Sequence, residues 1–321
     1  MSEHSYHPAL HRLAVATACV ALLPIIVGAI VTTMKAGMAF RDWPTSDGYN
    51  MFFYPWLKSA GDQFLEHGHR LTGILIGLFS IATALAAWLT KPGRLVRATA
   101  FAVLLAVVFQ GFLGGARVRL DRDILAMVHG SFAALVFSLM CGLALFTSRS
   151  WLSASQQLAD SRQPSGLLKP LVLTAPIIIF AQFLLGGALR HLGLVLFEHI
   201  GFAFVVLLFV FVTAFVAHSS GLSWLRRPAW LLLSIVVIQA GLGLGAFVTR
   251  FGFPPSGYVA VKYSTEQVVL GTSHTVVGMF LLATSVVLAL RVLRLEAVGR
   301  ATVTASAAVV AHIATVKGGL A

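Results

Sequence analysis

Eight runs of about twenty mostly apolar residues divide this chain, and they settle its fold class before anything else. They cover approximately residues 13–33, 67–89, 95–116, 124–147, 170–189, 194–217, 229–249 and 268–290. A helix of about 20 residues crosses the roughly 30 Å hydrocarbon core of a bilayer. Only helices and closed barrels satisfy their own backbone hydrogen bonds there, and these runs lack the period-two alternation of a barrel strand. The expected fold is therefore all-α and integral to the membrane. Eight transmembrane helices would form two pseudo-symmetric four-helix bundles, residues 1–150 and 151–300, with 301–321 as an inner-side tail too polar to span.

Composition narrows the function classes. Of 321 residues, 11% are charged and 58% hydrophobic, whereas an average soluble chain carries roughly a quarter charged residues. An ordinary cytosolic enzyme and a disordered chain are excluded. The net charge of +12 does not need nucleic acid to explain it. Thirteen Lys and Arg fall on the side of the termini and the even-numbered loops and nine on the other, while of the acids only Glu3, Asp160 and Glu296 share the termini's side. By the positive-inside rule both termini are cytoplasmic, and the basic face meets anionic lipid. The expected location is a cell inner (plasma) membrane. The polar start of the chain resembles neither a cleavable signal peptide nor an Arg-rich presequence, which makes a mitochondrial inner membrane the lesser expectation. Cys19 and Cys141 lie inside spans one and four, so the spacing implies neither a disulfide nor a zinc site.

Two repeats run through the spans. Spans three, five and seven carry Gln110-Gly111-Phe112-Leu113-Gly114-Gly115, Gln182-Phe183-Leu184-Leu185-Gly186-Gly187 and Gln239-Ala240-Gly241-Leu242-Gly243. Gln and Gly four apart share a helix face. Helix packing on small residues accounts for the glycines. It does not account for a buried amide at one depth three times over, which wants a ligand or a neighbouring helix as its partner. The even spans carry one histidine each near their starts: His69, His129, His199 and His274. All four begin on the outer side, so these histidines share a depth.

A lone histidine in a span is usually a hydrogen bonder between helices. Four in register are suited to ligating haem iron from both sides. The residue four on from each, Gly73, Ala133, Ala203 and Gly278, is small and would leave room for a porphyrin. Phe197, Phe202, Phe204 and Phe280 are candidates for a dry pocket around the second pair. A catalytic zinc site would be expected to gather histidines with carboxylate or cysteine more tightly. Glu66 stands three residues before His69 on the same face, placed either as a helix-start acid or to stabilise charge and move a proton beside a porphyrin. His67 is a rival ligand to His69. Arg117, Arg119, Arg190 and Arg250, at the outer ends of spans, either snorkel to the interface or pair with propionates. The loop over 34–66, with Trp43-Pro44 and an aromatic run from Met51 to Trp56, is an interfacial belt or a lid.

Taken together, Glu66-x-x-His69-Arg70, His129, the Gln-x-x-x-Gly-Gly repeats, Glu198-His199, His274 and Asp42-Trp43-Pro44 resemble the haem A synthase family over about residues 12–292. The resemblance implies an enzyme, a membrane haem-dependent oxidoreductase. It would oxidise the C8 methyl of haem O to the formyl of haem A by two hydroxylations and loss of water, for terminal oxidase assembly. It implies a haem B cofactor on His199 and His274, the substrate haem at His69 and His129, iron as the metal at all four histidines, and Glu66 as the catalytic carboxylate. It also implies haem O handed over by a haem O synthase, an electron donor of unknown identity, a lipid setting and no nucleic acid, and it leaves a homo-oligomer open. Many members carry a cysteine pair in an outer loop, which this chain does not have. The alternative is a bis-haem membrane cytochrome b that only transfers electrons.

Overall fold

The computed structural model describes residues 6–154 and 166–318, the part beyond Arg300 chiefly as helical backbone. Glu3 and Asp160, assigned above to the inner side, lie outside the described residues, as does the side chain of His312. Eight helices are long and apolar enough to cross a membrane: α1 (Pro8–Thr33), α2 (Gly61–Thr90), α3 (Arg94–Leu120), α4 (Asp123–Phe146), α5 (Leu168–Leu192), α6 (Leu196–Ser219), α7 (Ser223–Phe251) and α8 (Thr265–Arg300). No strand occurs among the described residues. The chain is a multi-pass, all-α membrane protein.

Every helix outruns its apolar core. At 1.5 Å per residue, helices of this length reach roughly 36–54 Å, so their ends stand in the headgroup region. The starts of α2 and α7 are the clearest cases. Helix α2 begins six residues before the expected run, with Asp62 in its first turn, where an acid complements the helix dipole. Helix α7 takes in Arg226, Arg227 and Pro228 before its apolar stretch begins. Helix α1 is interrupted at Ala21, between Pro8–Val20 and Leu22–Thr33. Pro24, in the first turn of the second piece, has no N–H to continue the first.

Chain neighbours pack in order. Helices α1, α2, α3 and α4 each touch the next and α4 returns to α1; α5, α6, α7 and α8 repeat the circuit. The two circuits meet through α4–α8, α4–α5 and α1–α8. Outward faces carry Leu78, Leu105, Ile177, Leu208 and Val237, which suits lipid. Inward faces carry small and hydroxylated residues that let helices approach. Thr17 and Thr83 share a hydrogen bond of 2.7 Å between α1 and α2, and Ser80 and Ser138 return their hydroxyls to the carbonyls four residues back. The helix containing α8 runs unbroken to Gly318. The polar stretch after 300 therefore continues α8 rather than forming a separate surface helix.

Candidate functional site

The four even helices run parallel, so their starts gather at the end of the bundle that carries residues 34–60. There the histidines meet in two pairs. His69 and His129 have ring centres 6.2 Å apart with planes at 82°. His199 and His274 have centres 6.3 Å apart with planes at 89°. Each pair joins alternate helices of one circuit. Two imidazoles holding one metal ion at about 2 Å each, with about 1 Å more from nitrogen to ring centre, would stand about 6 Å apart. Both pairs thus fit axial ligation of a haem from either side. Among the described residues, no group of three His, Cys, Asp or Glu is gathered to hold a metal.

Room for the rings comes from the preceding helix. A Cβ on Gly28, Gly114, Gly186 or Gly243 would come within 2.7, 3.1, 3.0 and 3.0 Å of the Cε1 of His69, His129, His199 and His274, respectively. A side chain at these four places would crowd the imidazole, most severely at Gly28. Gly73 faces open space, while Gly278 faces the Gln239 amide and the Phe183 ring.

The repeated glutamines find the same histidines. Gln110 Nε2 donates to the His129 carbonyl at 3.0 Å and lies 3.4 Å from its Nε2. Gln182 Nε2 donates to the His199 carbonyl at 2.9 Å and lies 3.1 Å from its Nδ1. Gln239 Nε2 lies 3.5 Å from His274 Nε2. Of twelve buried side-chain polar atoms without a partner among the described residues, six belong here: Nδ1 of His69, His129 and His274, and Oε1 of Gln110, Gln182 and Gln239. Buried polar atoms are nearly always paired. Their concentration around the two pairs marks a place built for a ligand.

The first pair is framed by charge. Glu66 is 3% exposed. It accepts from Arg70 Nη2 at 2.7 Å and from the backbone amides of Ala39 and Phe40 at 2.7 and 3.3 Å. Arg70 continues outward to the carbonyls of Asp42 and Thr45 at 2.9 and 2.6 Å. The two residues therefore fasten the 34–60 segment over α2. Trp43 presses against the backbone of Gly115 on α3, next to the glycine beneath His129. His67 is buried in the same segment, at 3.0 Å from Ser46 Oγ and against Phe40 and Tyr54, and belongs to neither pair. Asp42 organises the loop itself. Its partial burial would raise its pKa, but hydrogen bonds from the Thr45 side chain and the Gly48 and Asp47 amides hold the carboxyl below its ordinary value.

The outer arginines divide. Arg190 spans helices, donating to Ala29 O and Thr33 Oγ1 of α1 at 2.6 and 2.7 Å and to Gly271 O and Thr275 Oγ1 of α8. Arg117 lies against Gly37 and makes no hydrogen bond among the described residues. Arg119 and Arg250 are exposed. The aromatic expectation needs correction: Phe197 and Phe204 are 83% and 68% exposed. Seven residues apart, they share one outward face of α6. Phe202 and Phe280 do pack on the core. The fastening of the 34–60 segment by Arg70 was not foreseen, since its partners are backbone carbonyls that no motif records.

The chain is similar to known proteins. Residues 55–198, which include His69, His129 and Glu66, match the family model COX15-CtaA, described as "Cytochrome oxidase assembly protein". The chain is 29% identical over 189 residues to "Heme A synthase" of Symbiobacterium thermophilum, covering 58% of this chain and 60% of the relative. It is 32% identical over 168 residues to "Heme A synthase" of Bacillus pumilus, covering 51% and 50%. It is 30% identical over 227 residues to "Heme A synthase" of Bacillus licheniformis, covering 68% and 63%. The matches thus span between half and just under two thirds of those relatives' lengths. The chain thus resembles the haem A synthase (COX15-CtaA) family of cytochrome oxidase assembly proteins over these stretches.

Proposed function

We propose that this protein is a haem A synthase that oxidises the C8 methyl group of haem O to a formyl group. The observation that carries the proposal is a pair of matched histidine clefts of which only one has a buried acid fastened beside it. The half within 1–150 would take haem O between His69 and His129. The half within 151–300 would keep a haem B between His199 and His274. Haem bound there would supply reversible one-electron iron chemistry.

The chain's own residues divide the remaining work. The glycines under each ring fix imidazole orientation, since any side chain there would tilt it. The 34–60 segment, held by Glu66 and Arg70 and plugged by Trp43, keeps water from the first pair. Glu66 carries the carboxylate that balances charge and accepts a proton beside the substrate; its ion pair with Arg70 holds it in place. Arg117, with no hydrogen bond among the described residues, is the cation available to a substrate propionate, whereas Arg190 is committed to joining α1 and α8. At the opposite end, Arg291 and Arg294 lie over the rings of Trp224 and Trp151. We read this basic, aromatic end as the cytoplasmic face of an inner membrane, with both termini on that side.

The test is conversion in a host that makes haem O but not haem A. Expression should yield extractable haem A. Tightly retained haem without haem A or its hydroxylated precursor would instead favour a membrane cytochrome b.

A further inference from the structure

The glutamine repeat is not complete. Helices α3, α5 and α7 each place a glutamine four residues before the glycine that receives a histidine. In α1 the receiving glycine is Gly28, and the residue four before it is Pro24. Three of the four histidines therefore have a carboxamide within 3.5 Å of a ring nitrogen, and His69 has none. The second pair has two such histidines and the first pair has one.

We infer that Gln110, Gln182 and Gln239 are positioning residues whose carboxamides brace the rings of His129, His199 and His274, and that His69, lacking such a carboxamide, is the releasing ligand. The inference rests on the haem-binding reading above and deepens it. Each glutamine oxygen is buried and unpartnered. Nε2 stands against a ring nitrogen in all three cases, and in Gln110 and Gln182 it also donates to the carbonyl of the same histidine. The carboxamide thus braces the ring against turning. Outer-shell partners of this kind fix the orientation of a ligating ring, and their loss typically costs about 10–100-fold in metal affinity. Two held ligands suit a resident cofactor. One held and one free suit a haem that must arrive and depart. The sequence thus writes the difference between cofactor half and substrate half into three glutamines and one proline.

The test uses the full-length protein in detergent, loaded with haemin, with haem release to excess apomyoglobin followed by absorbance. The wild type should lose haem in two phases, a fast one from the first half and a slow one from the second. Gln182→Leu and Gln239→Leu should speed the slow phase by about 10–100-fold, Gln110→Leu the fast phase, and Pro24→Gln should slow the fast phase. Midpoint potential separates positioning from damage to the fold. Gln182→Leu should raise the potential of the second haem, and Gln182→Glu, a stronger acceptor, should lower it. Unchanged release in the Leu variants, or potentials that move the same way in both Gln182 variants, would overturn the inference while leaving the haem sites standing. Failure of the wild type to retain any haem would overturn the functional reading beneath it.

Discussion

His199 on α6 and His274 on α8 face each other with ring centres 6.3 Å apart and planes at 89°, and His69 and His129 repeat that relationship at 6.2 Å and 82°. Two matched clefts in one chain are what a reaction between a resident and a visiting haem needs. What distinguishes the clefts is their surroundings: Glu66, Arg70 and Arg117 beside the first, and a second glutamine beside the other.

Glu66→Ala should abolish haem A formation and spare the second haem, since Glu66 touches only the first half and its loop. It should also cost stability, because removing one partner of a buried ion pair typically costs about 3–5 kcal/mol. Glu66→Gln keeps an acceptor for the Ala39 and Phe40 amides and should recover part of that stability without recovering turnover. Pigment extraction and thermal melting of the two variants separate the roles. Full turnover in Glu66→Ala would end the catalytic assignment.

Gly186→Ala places a Cβ 3.0 Å from the His199 ring, tighter than nine in ten real contacts, so the ring must shift, and it should lower retention of the second haem by about tenfold. Gly201→Ala, where a Cβ meets nothing within 4 Å, is the matched control and should leave retention unchanged. The visible spectrum of the purified protein reads both.

Arg190→Leu should loosen α1 from α8. It removes four donor contacts from one guanidinium, and hydrogen bonds to charged groups contribute roughly 1.5–3 kcal/mol each net of the exchange with water. A fall in melting temperature shared by both haem spectra is the expected outcome. A change confined to the first haem would instead place Arg190 in substrate binding.

Asp42 predicts a pH dependence for the 34–60 segment. Its folded pKa lies below the ordinary value of 3.8. The stability it lends is therefore complete above that value and lost as pH falls through the lowered folded value. Protease cleavage within 34–60 should gain a component from Asp42 that rises below about pH 4. Asp42→Asn should remove that rise and leave the segment more cleavable at every pH.

Much of the fold could be read from the chain because lipid imposes a simple code: continuous apolar runs became α1 to α8, and the odd residues inside them, four histidines and three glutamines, came together as the candidate site. Pairing of the histidines followed from common depth. The partner of each glutamine did not, since contact between helices leaves no mark in one helix's spacing. Gly28 escaped notice because Pro24 stands where its repeat would have a glutamine. Phe197 and Phe204 misled because proximity in sequence to His199 says nothing about which face of α6 they occupy. The latch of Glu66 and Arg70 on the 34–60 segment was hidden because its partners are backbone groups.

The most direct test of the central claim is the fate of haem O given to the purified, haem-loaded protein with a reductant and oxygen, read by mass spectrometry of the extracted pigment. Haem O should pass through a hydroxylated form to haem A in the wild type, and remain haem O in His69→Ala, which keeps the second pair intact. Haem O recovered unchanged from the wild type, with both haem sites filled and reducible, would contradict the account.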